Sequence, residues 1–233
     1  MQTLYVLEVN IFIYVNFYLM TKIEIFSDVV CPWCYVGKRN LEKALQLLND
    51  KEEKFESIQN WRSFQLNPQL KPEGILRQDY ITSKFGETAN SEIIYNNVSL
   101  AGEAVGLKMN FDKILIQPNS LKMHSLIYAA KEINREIDLI ENLFKAFFVD
   151  GINLSKFESV SKVASDIGLN KKTINGVFYE NLFEKFVQED LKISQEFNIT
   201  GVPFYVIDDS IGISGAQPPE IIIDAINQSN RQY

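Results

Sequence analysis

Residues 22–38 read KIEIFSDVVCPWCYVGK, and this stretch decides the fold. Lys22–Ser27 alternates apolar and polar side chains, the pattern of a half-buried β-strand. Asp28-Val29-Val30 makes a short bend. A helix then begins around Cys31-Pro32, where proline is welcome because the first helical N–H has no partner inside the helix. Val36, Leu41, Ala44, Leu45 and Leu48 recur at helical spacing, and Asn49-Asp50 closes the helix. Residues 55–66 hold a second strand centred on Ile58–Phe64, ended by Asn67-Pro68. Within it Trp61, Phe64 and Leu66 are expected to face the core. The unit is β-α-β, with Cys31 and Cys34 at the first strand-to-helix junction.

These are the only two cysteines among 233 residues. Two cysteines scattered over such a chain fall three apart in roughly 1% of arrangements, so the spacing points to chemistry. The readings are a redox pair, a metal site or two inert buried thiols. The thiolate is the reactive form of cysteine. A helix start offers unpaired N–H donors and a partial positive charge, which favour the thiolate of Cys31. Cys34 lies almost one turn further in, within reach of Cys31 and more buried. The asymmetry predicts that Cys31 attacks and Cys34 resolves. A purely structural disulfide is disfavoured, because so small a loop contributes little stability.

Composition narrows the remaining options. Lys+Arg 23 against Asp+Glu 30 gives a net charge of −7, which argues against a nucleic-acid partner. A hydrophobic fraction of 46% supports a real core and excludes a disordered chain. With two cysteines, a disulfide-stapled scaffold is excluded. With one histidine, any Ser-His-Asp or Cys-His enzyme must use His124. A zinc site would need both cysteines, His124 and a distant fourth ligand, so no metal is expected.

Working outward, the middle of the chain reads as helical. Ser91–Gly106, Ser120–Asn134 and Asp138–Asp150 have helical spacing, the last with Leu139, Leu143, Phe147 and Phe148 expected in the core. Ser155-Lys156-Phe157-Glu158 reads as a capping box opening a helix to about Ile167, stopped by Gly168. Asn181–Phe197 is a further amphipathic helix. No long strand pattern appears between about 70 and 198. Phe204–Ile207 and Ile211–Ser214, joined by Asp208-Asp209-Ser210, form a hairpin, and Pro218-Pro219 starts a terminal helix. The order is β-α-β, then helices, then β-β-α.

Met1–Met20 is mostly apolar, yet Glu8, Asn10 and Asn16 are costly inside a bilayer. No basic residue precedes Lys22 and no small-residue cleavage site follows. Three readings stay open: a true start at Met20, a packed extension, and an atypical signal or anchor segment. The expectation is a cytoplasmic chain with no membrane partner, or an exported or anchored one if residues 1–20 act as a signal.

Phe26–Lys38 resembles the active-site stretch of the DsbA-like thioredoxin family, in its FrnE-like branch. Trp61-Arg62-Ser63-Phe64-Gln65-Leu66-Asn67-Pro68, Glu73-Gly74 with Lys84-Phe85-Gly86, and Gln117-Pro118-Asn119-Ser120 with His124 resemble further stretches of that branch. So do Gly201-Val202-Pro203-Phe204 and Ser214-Gly215-Ala216-Gln217. The resemblance covers roughly residues 22–228. It implies an α/β thioredoxin fold interrupted by a large helical insertion: residues 1–19 as an extension or mis-assigned start, 20–70 as the first part, 71–185 as the insertion and 186–233 as the second part. It implies a cis peptide before Pro203 facing the Cys pair, with the backbone of Val202 pairing with a substrate chain. One departure stands out. Thioredoxin-like proteins often bury a carboxylate six residues before the first cysteine, and that position here is Ile25. Glu24 and Asp28 are near but expected to point elsewhere, which leaves Cys34 without an evident proton acceptor.

The function expected is thiol–disulfide exchange with protein or peptide thiols, needing no cofactor beyond the Cys31–Cys34 pair, with glutathione as a candidate co-substrate. Trp33 is a candidate substrate contact or a cap on the core, and Pro32 is a candidate tuner of the pair. His124 either moves protons in a cleft or is a hydrogen-bonded structural residue. The competing enzyme reading is a glutathione-linked kappa-type transferase or 2-hydroxychromene-2-carboxylate isomerase, a group that resembles this architecture and typically carries Ser where Cys31 stands. A passive binding module using the helical insertion is the third reading.

Overall fold

The computed structural model describes residues 20–51, 55–86 and 91–230. The expectations for residues 1–19 lie outside them. Strand β1 (Thr21–Ser27) leads through a bend into helix α1 (Pro32–Lys51), which returns to β2 (Ser57–Ser63). β1 and β2 are parallel, with Ile25 beside Trp61. The hairpin β5 (Phe204–Ile207) and β6 (Ile211–Ser214) completes a four-stranded sheet of order β2-β1-β5-β6, and β1 meets β5 antiparallel with Ile25 beside Tyr205. Helix α9 (Pro219–Asn230) closes the chain and packs on α1.

β1 is more deeply buried than its alternation suggests. Only Lys22 retains appreciable exposure, and even Glu24 is buried. The reason is position: β1 is an interior strand, and both of its faces are covered. Glu24 is accommodated there because Asn60 donates to it at 2.8 Å and Arg62 pairs with it.

β2 also departs from expectation. Trp61 is buried, but strand alternation then places Ser63, Gln65 and Asn67 inward. Phe64 falls on the opposite side and is only half-buried, as is Leu66, which still packs against the core. Gln65 is tolerated inside because its side chain donates to Asn119 Oδ1 at 3.1 Å.

Between β2 and β5 the chain builds a helical block. A two-residue strand β3 (Ile75–Leu76) pairs with β4 (Ile116–Gln117), flanking α2 (Arg77–Phe85) and α3 (Ser91–Ala104). Then follow α4 (Leu121–Lys131), α5 (Glu136–Phe144), α6 (Phe157–Asp166), α7 (Lys171–Tyr179) and α8 (Glu184–Glu196). α5 continues into a π-helical turn, Lys145–Val149, and Ala146, Phe147 and Phe148 are all buried there. The core reading of Leu139, Leu143, Phe147 and Phe148 agrees with their full burial.

The capping box at Ser155 does not form. Asn153 Oδ1 accepts both the Ser155 N–H at 2.9 Å and its hydroxyl at 2.7 Å. That local turn competes for the side chain, and the helix starts one residue later than expected, at Phe157, with Lys156 at its cap. Gly168 does end α6, with φ +96°. The helix expected from Asn181 begins only at Glu184, because Asn181 and Phe183 adopt left-handed backbone. Helices α2 and α7 have no counterpart in the sequence reading. Among the described residues no helix is long and apolar enough to cross a membrane.

Candidate active site

Both cysteines are free thiols and both are buried, Cys31 just ahead of α1 and Cys34 in its first turn. The turn is tight: Cys31 N–H donates to Asp28 O at 2.9 Å, and Cys34 N–H to Cys31 O at 3.1 Å. Pro32 opens the helix and Trp33 faces outward, 39% exposed.

The Val202–Pro203 peptide is cis, and it lies against the pair. Cys31 Sγ donates to the Val202 carbonyl at 3.4 Å. Close approach of the two segments depends on Gly37, one turn beyond Cys34. A Cβ there would meet Pro203 Cγ at 2.8 Å and collide with the Tyr205 hydroxyl. Thus α1, the Pro203 loop and β5 converge on one buried spot, and Cys31, Cys34, Val202 and Pro203 come together there. Tyr205 is a member that sequence reasoning missed. Its place in the Phe204–Ile207 alternation was the available signal.

The two thiols are held differently. Burial pushes the Cys34 thiol well up from its ordinary range, and contact with Cys31 adds to the rise. The Ser27 hydroxyl and the Asp28 backbone N–H pull the other way by favouring the thiolate. Burial likewise pushes the Tyr205 hydroxyl up, reinforced by the neighbouring cysteines.

Asp28 is fully buried, yet its carboxylate does not point at the pair. It accepts from Val30 N–H at 3.3 Å and from Leu66 N–H at 2.8 Å, tying the bend before Cys31 to the end of β2. His124 on α4 is buried beside it, with Nε2 3.4 Å from Asp28 Oδ1. The expectation of a hydrogen-bonded structural histidine fails in one respect: Nε2 has no hydrogen bond.

The outer face of α1 is locked to the helical block. Glu141 on α5 accepts from Tyr35 at 2.8 Å and Lys38 at 2.8 Å, and also pairs with Arg39. Lys38 is itself buried, so this cluster removes a charge from water that has to be paired. Tyr35 also stacks on Phe144, ring centroids 4.9 Å apart.

The fold is shared with known proteins. The DSBA-like thioredoxin domain profile matches residues 22–227. The chain belongs to that family. It is 24% identical over 211 residues to the uncharacterized protein YwbO of Bacillus subtilis, covering 90% of this chain and 98% of YwbO. Among solved structures, it superposes on the probable DsbA oxidoreductase SCO1869 of Streptomyces coelicolor with TM-score 0.82 and 28% identity, covering 91% of each chain. More distant structures share the fold. The cytosolic disulfide reductase DsbM of Pseudomonas aeruginosa has TM-score 0.64 and 12% identity, covering 91% of this chain and 100% of its own. A 2-hydroxychromene-2-carboxylate isomerase has TM-score 0.65 and 14% identity, covering 91% and 97%. As a DSBA-like domain the chain has the thioredoxin fold of thiol–disulfide oxidoreductases.

Proposed function

We propose that the protein exchanges disulfides with protein or peptide thiols through Cys31 and Cys34. The observation that carries this reading is the pair of free, adjacent thiols at the start of α1, with the cis Val202–Pro203 carbonyl against Cys31. The Cys31 thiolate attacks a substrate disulfide; a Cys31–substrate bond forms and the first substrate thiolate leaves. The Cys34 thiolate then attacks the Cys31 sulfur. The Cys31–Cys34 bond forms, the second substrate thiolate leaves, and the substrate has gained the two electrons the pair lost. The reverse sequence oxidises a dithiol.

Val202 supplies backbone for pairing with a substrate chain, and exposed Trp33 and half-buried Pro32 offer the apolar contact beside it. On this reading the pair works in the reductive direction in a cytoplasmic setting, with glutathione returning it to its reduced state; DsbM, a cytosolic disulfide reductase by name that is also solved with GSH, shares the fold. Because the isomerase shares the fold, fold alone does not choose between the two chemistries. The presence of both thiols favours exchange.

The test is redox titration of the pair against glutathione, with Cys31→Ser and Cys34→Ser as controls. A potential near about −270 mV supports a reductant, and one near about −120 mV a disulfide donor. Cys31→Ser should abolish exchange, and Cys34→Ser should trap a mixed disulfide. Full exchange by Cys31→Ser would falsify the reading.

A further inference from the structure

We propose that one ordered water, seated between Ser27, Trp61 and His124, carries the Cys34 proton to the His124–Asp28 pair. The inference rests on the exchange reading above and supplies a group that reading lacks. Cys34 has to become a thiolate before it can attack, and it is 1% exposed, so at neutral pH it needs a proton acceptor within the fold. Ile25 offers no carboxylate.

Where the ends of β1 and β2 meet α4 and α5 lies a cavity of about 10 Å³, lined on its polar side by Ser27, Trp61, Arg62, Ser63 and His124 and otherwise by Val29, Ile127 and Ile140. Three of these residues each bring a buried polar atom with no hydrogen-bond partner: Ser27 Oγ, Trp61 Nε1 and His124 Nε2. A volume of this size holds one water, and a buried water typically makes about three hydrogen bonds. The chemistry of the three atoms suits it. Trp61 Nε1 donates only, His124 Nε2 accepts in the Nδ1–H tautomer that the proposal assigns, and the Ser27 hydroxyl does either.

The same Ser27 hydroxyl makes no hydrogen bond to the resting Cys34 thiol but favours its thiolate, and on this proposal it joins the thiol to the cavity. The route runs from Cys34 Sγ–H to Ser27 Oγ, to the water and to His124 Nε2. Asp28 Oδ1, 3.4 Å from Nε2, stabilises the imidazolium that results. Asp28 is fixed in this role because Val30 and Leu66 N–H groups hold its two oxygens. The other charged or titratable groups nearby are committed elsewhere or belong to the pair. Arg62, from β2, is paired with Glu24 and Asp190, while Cys31 and Tyr205 face Cys34 directly.

In the reaction, the S–H bond of Cys34 breaks and its proton moves to His124. The freed electron pair forms the Cys31–Cys34 bond, the Cys31–substrate bond breaks, and the substrate thiolate leaves with that bond's electrons. The imidazolium returns its proton to the released thiolate or to solvent. Ser27, Trp61 and His124 thus act as positioning and proton-carrying residues, and Cys31 and Cys34 remain the groups that touch substrate.

The test is rapid mixing of the reduced full-length protein with excess oxidised glutathione, across a pH series, with acid quench and mass measurement. Two phases separate: glutathionylation of Cys31, then release of that glutathione by Cys34. Ser27→Ala and His124→Gln should slow the second phase at neutral pH by about 100-fold, a typical general-base contribution. The loss should shrink as pH rises, because hydroxide takes over the proton. The first phase should stay within about twofold, since neither residue contacts Cys31. Trp61→Phe, which removes only the N–H anchor, should slow the second phase less. Circular dichroism establishes folding, and Ser27→Ala is the milder change should His124→Gln unfold. A wild-type second phase and pH profile in a folded Ser27→Ala variant overturns the relay. Slowing of both phases alike also overturns it. A wild-type protein with no first phase overturns the exchange reading and the relay with it.

Discussion

Gly37 sits where α1 crosses the Pro203 loop, and the reason is volume. Any Cβ at this position collides with the Tyr205 hydroxyl and presses on Pro203. Gly37→Ala is therefore expected to destabilise the fold by about 1–3 kcal/mol, the usual cost of overpacking. It should also move the Val202 carbonyl away from Cys31 Sγ. Urea unfolding reads the first effect and the rate of Cys31 alkylation the second; a variant matching wild type in both would contradict this account. At this scale the sequence was informative about the two cysteines and Pro203, whose spacing and local context are themselves chemical signals. It was silent on Ser27, Tyr205 and Glu141. Each is an ordinary strand or helix residue, and its importance comes from a partner far away in the chain.

Two tethers between elements hold the site in shape. The first joins α1 to α5 through Glu141. Burial tends to raise its carboxyl, but hydrogen bonds from Arg39 and Lys38 outweigh that and hold it below the ordinary range. A carboxyl lowered on folding stabilises the native state above its unfolded value, and that contribution is lost as pH falls through the native one. Glu141→Gln should therefore cost most at neutral pH. The gap to wild type should close on acidification below the usual carboxylate range, as measured by thermal midpoints across a pH series. A gap that widens toward acid would contradict the assignment. The second tether joins α8 to β2 through Asp190, buried at 1% exposure. It accepts from Ser63 N–H at 2.7 Å and Arg62 at 2.9 Å, and also from Tyr128. Asp190→Ala leaves the Ser63 N–H and the Tyr128 hydroxyl without their acceptor and removes one of the two carboxylates that pair with Arg62. A cost of about 2–4 kcal/mol follows, somewhat under the figure for a fully buried pair because Arg62 is 24% exposed and keeps Glu24. Chemical denaturation measures it. Element boundaries were harder to read than element types. At Ser155 and at Asn181–Phe183, local turn chemistry shifted helix starts that periodicity alone does not fix.

For the whole molecule, the hydrophobic core does not stop at the edge of the thioredoxin sheet. Ile23, Ile25, Tyr35 and Tyr205 belong to one buried cluster with Phe144, Phe147 and Phe148 of the helical block. A chain lacking residues 71–185 is thus expected to expose the α1 face carrying Tyr35 and Lys38, and to fail to fold cooperatively. Loss of a sharp thermal transition would show this, and a stable truncated domain would refute it. The β-α-β and β-β-α ends were legible because short, regular elements with sharp turn signals carry their own period. The packing between block and sheet was not, since it rests on complementary surfaces that no single segment encodes.

The chain has two tryptophans, and the fold separates them: Trp61 is 4% exposed, while Trp33 stands 39% exposed between the cysteines. Light emission from the buried indole should be insensitive to an added aqueous quencher such as iodide. Emission from the outer one should respond both to the quencher and to the oxidation state of its neighbours. The protein thereby carries its own optical gauge of redox state, legible without any attached dye, and docking of a peptide over that indole should register on the same channel.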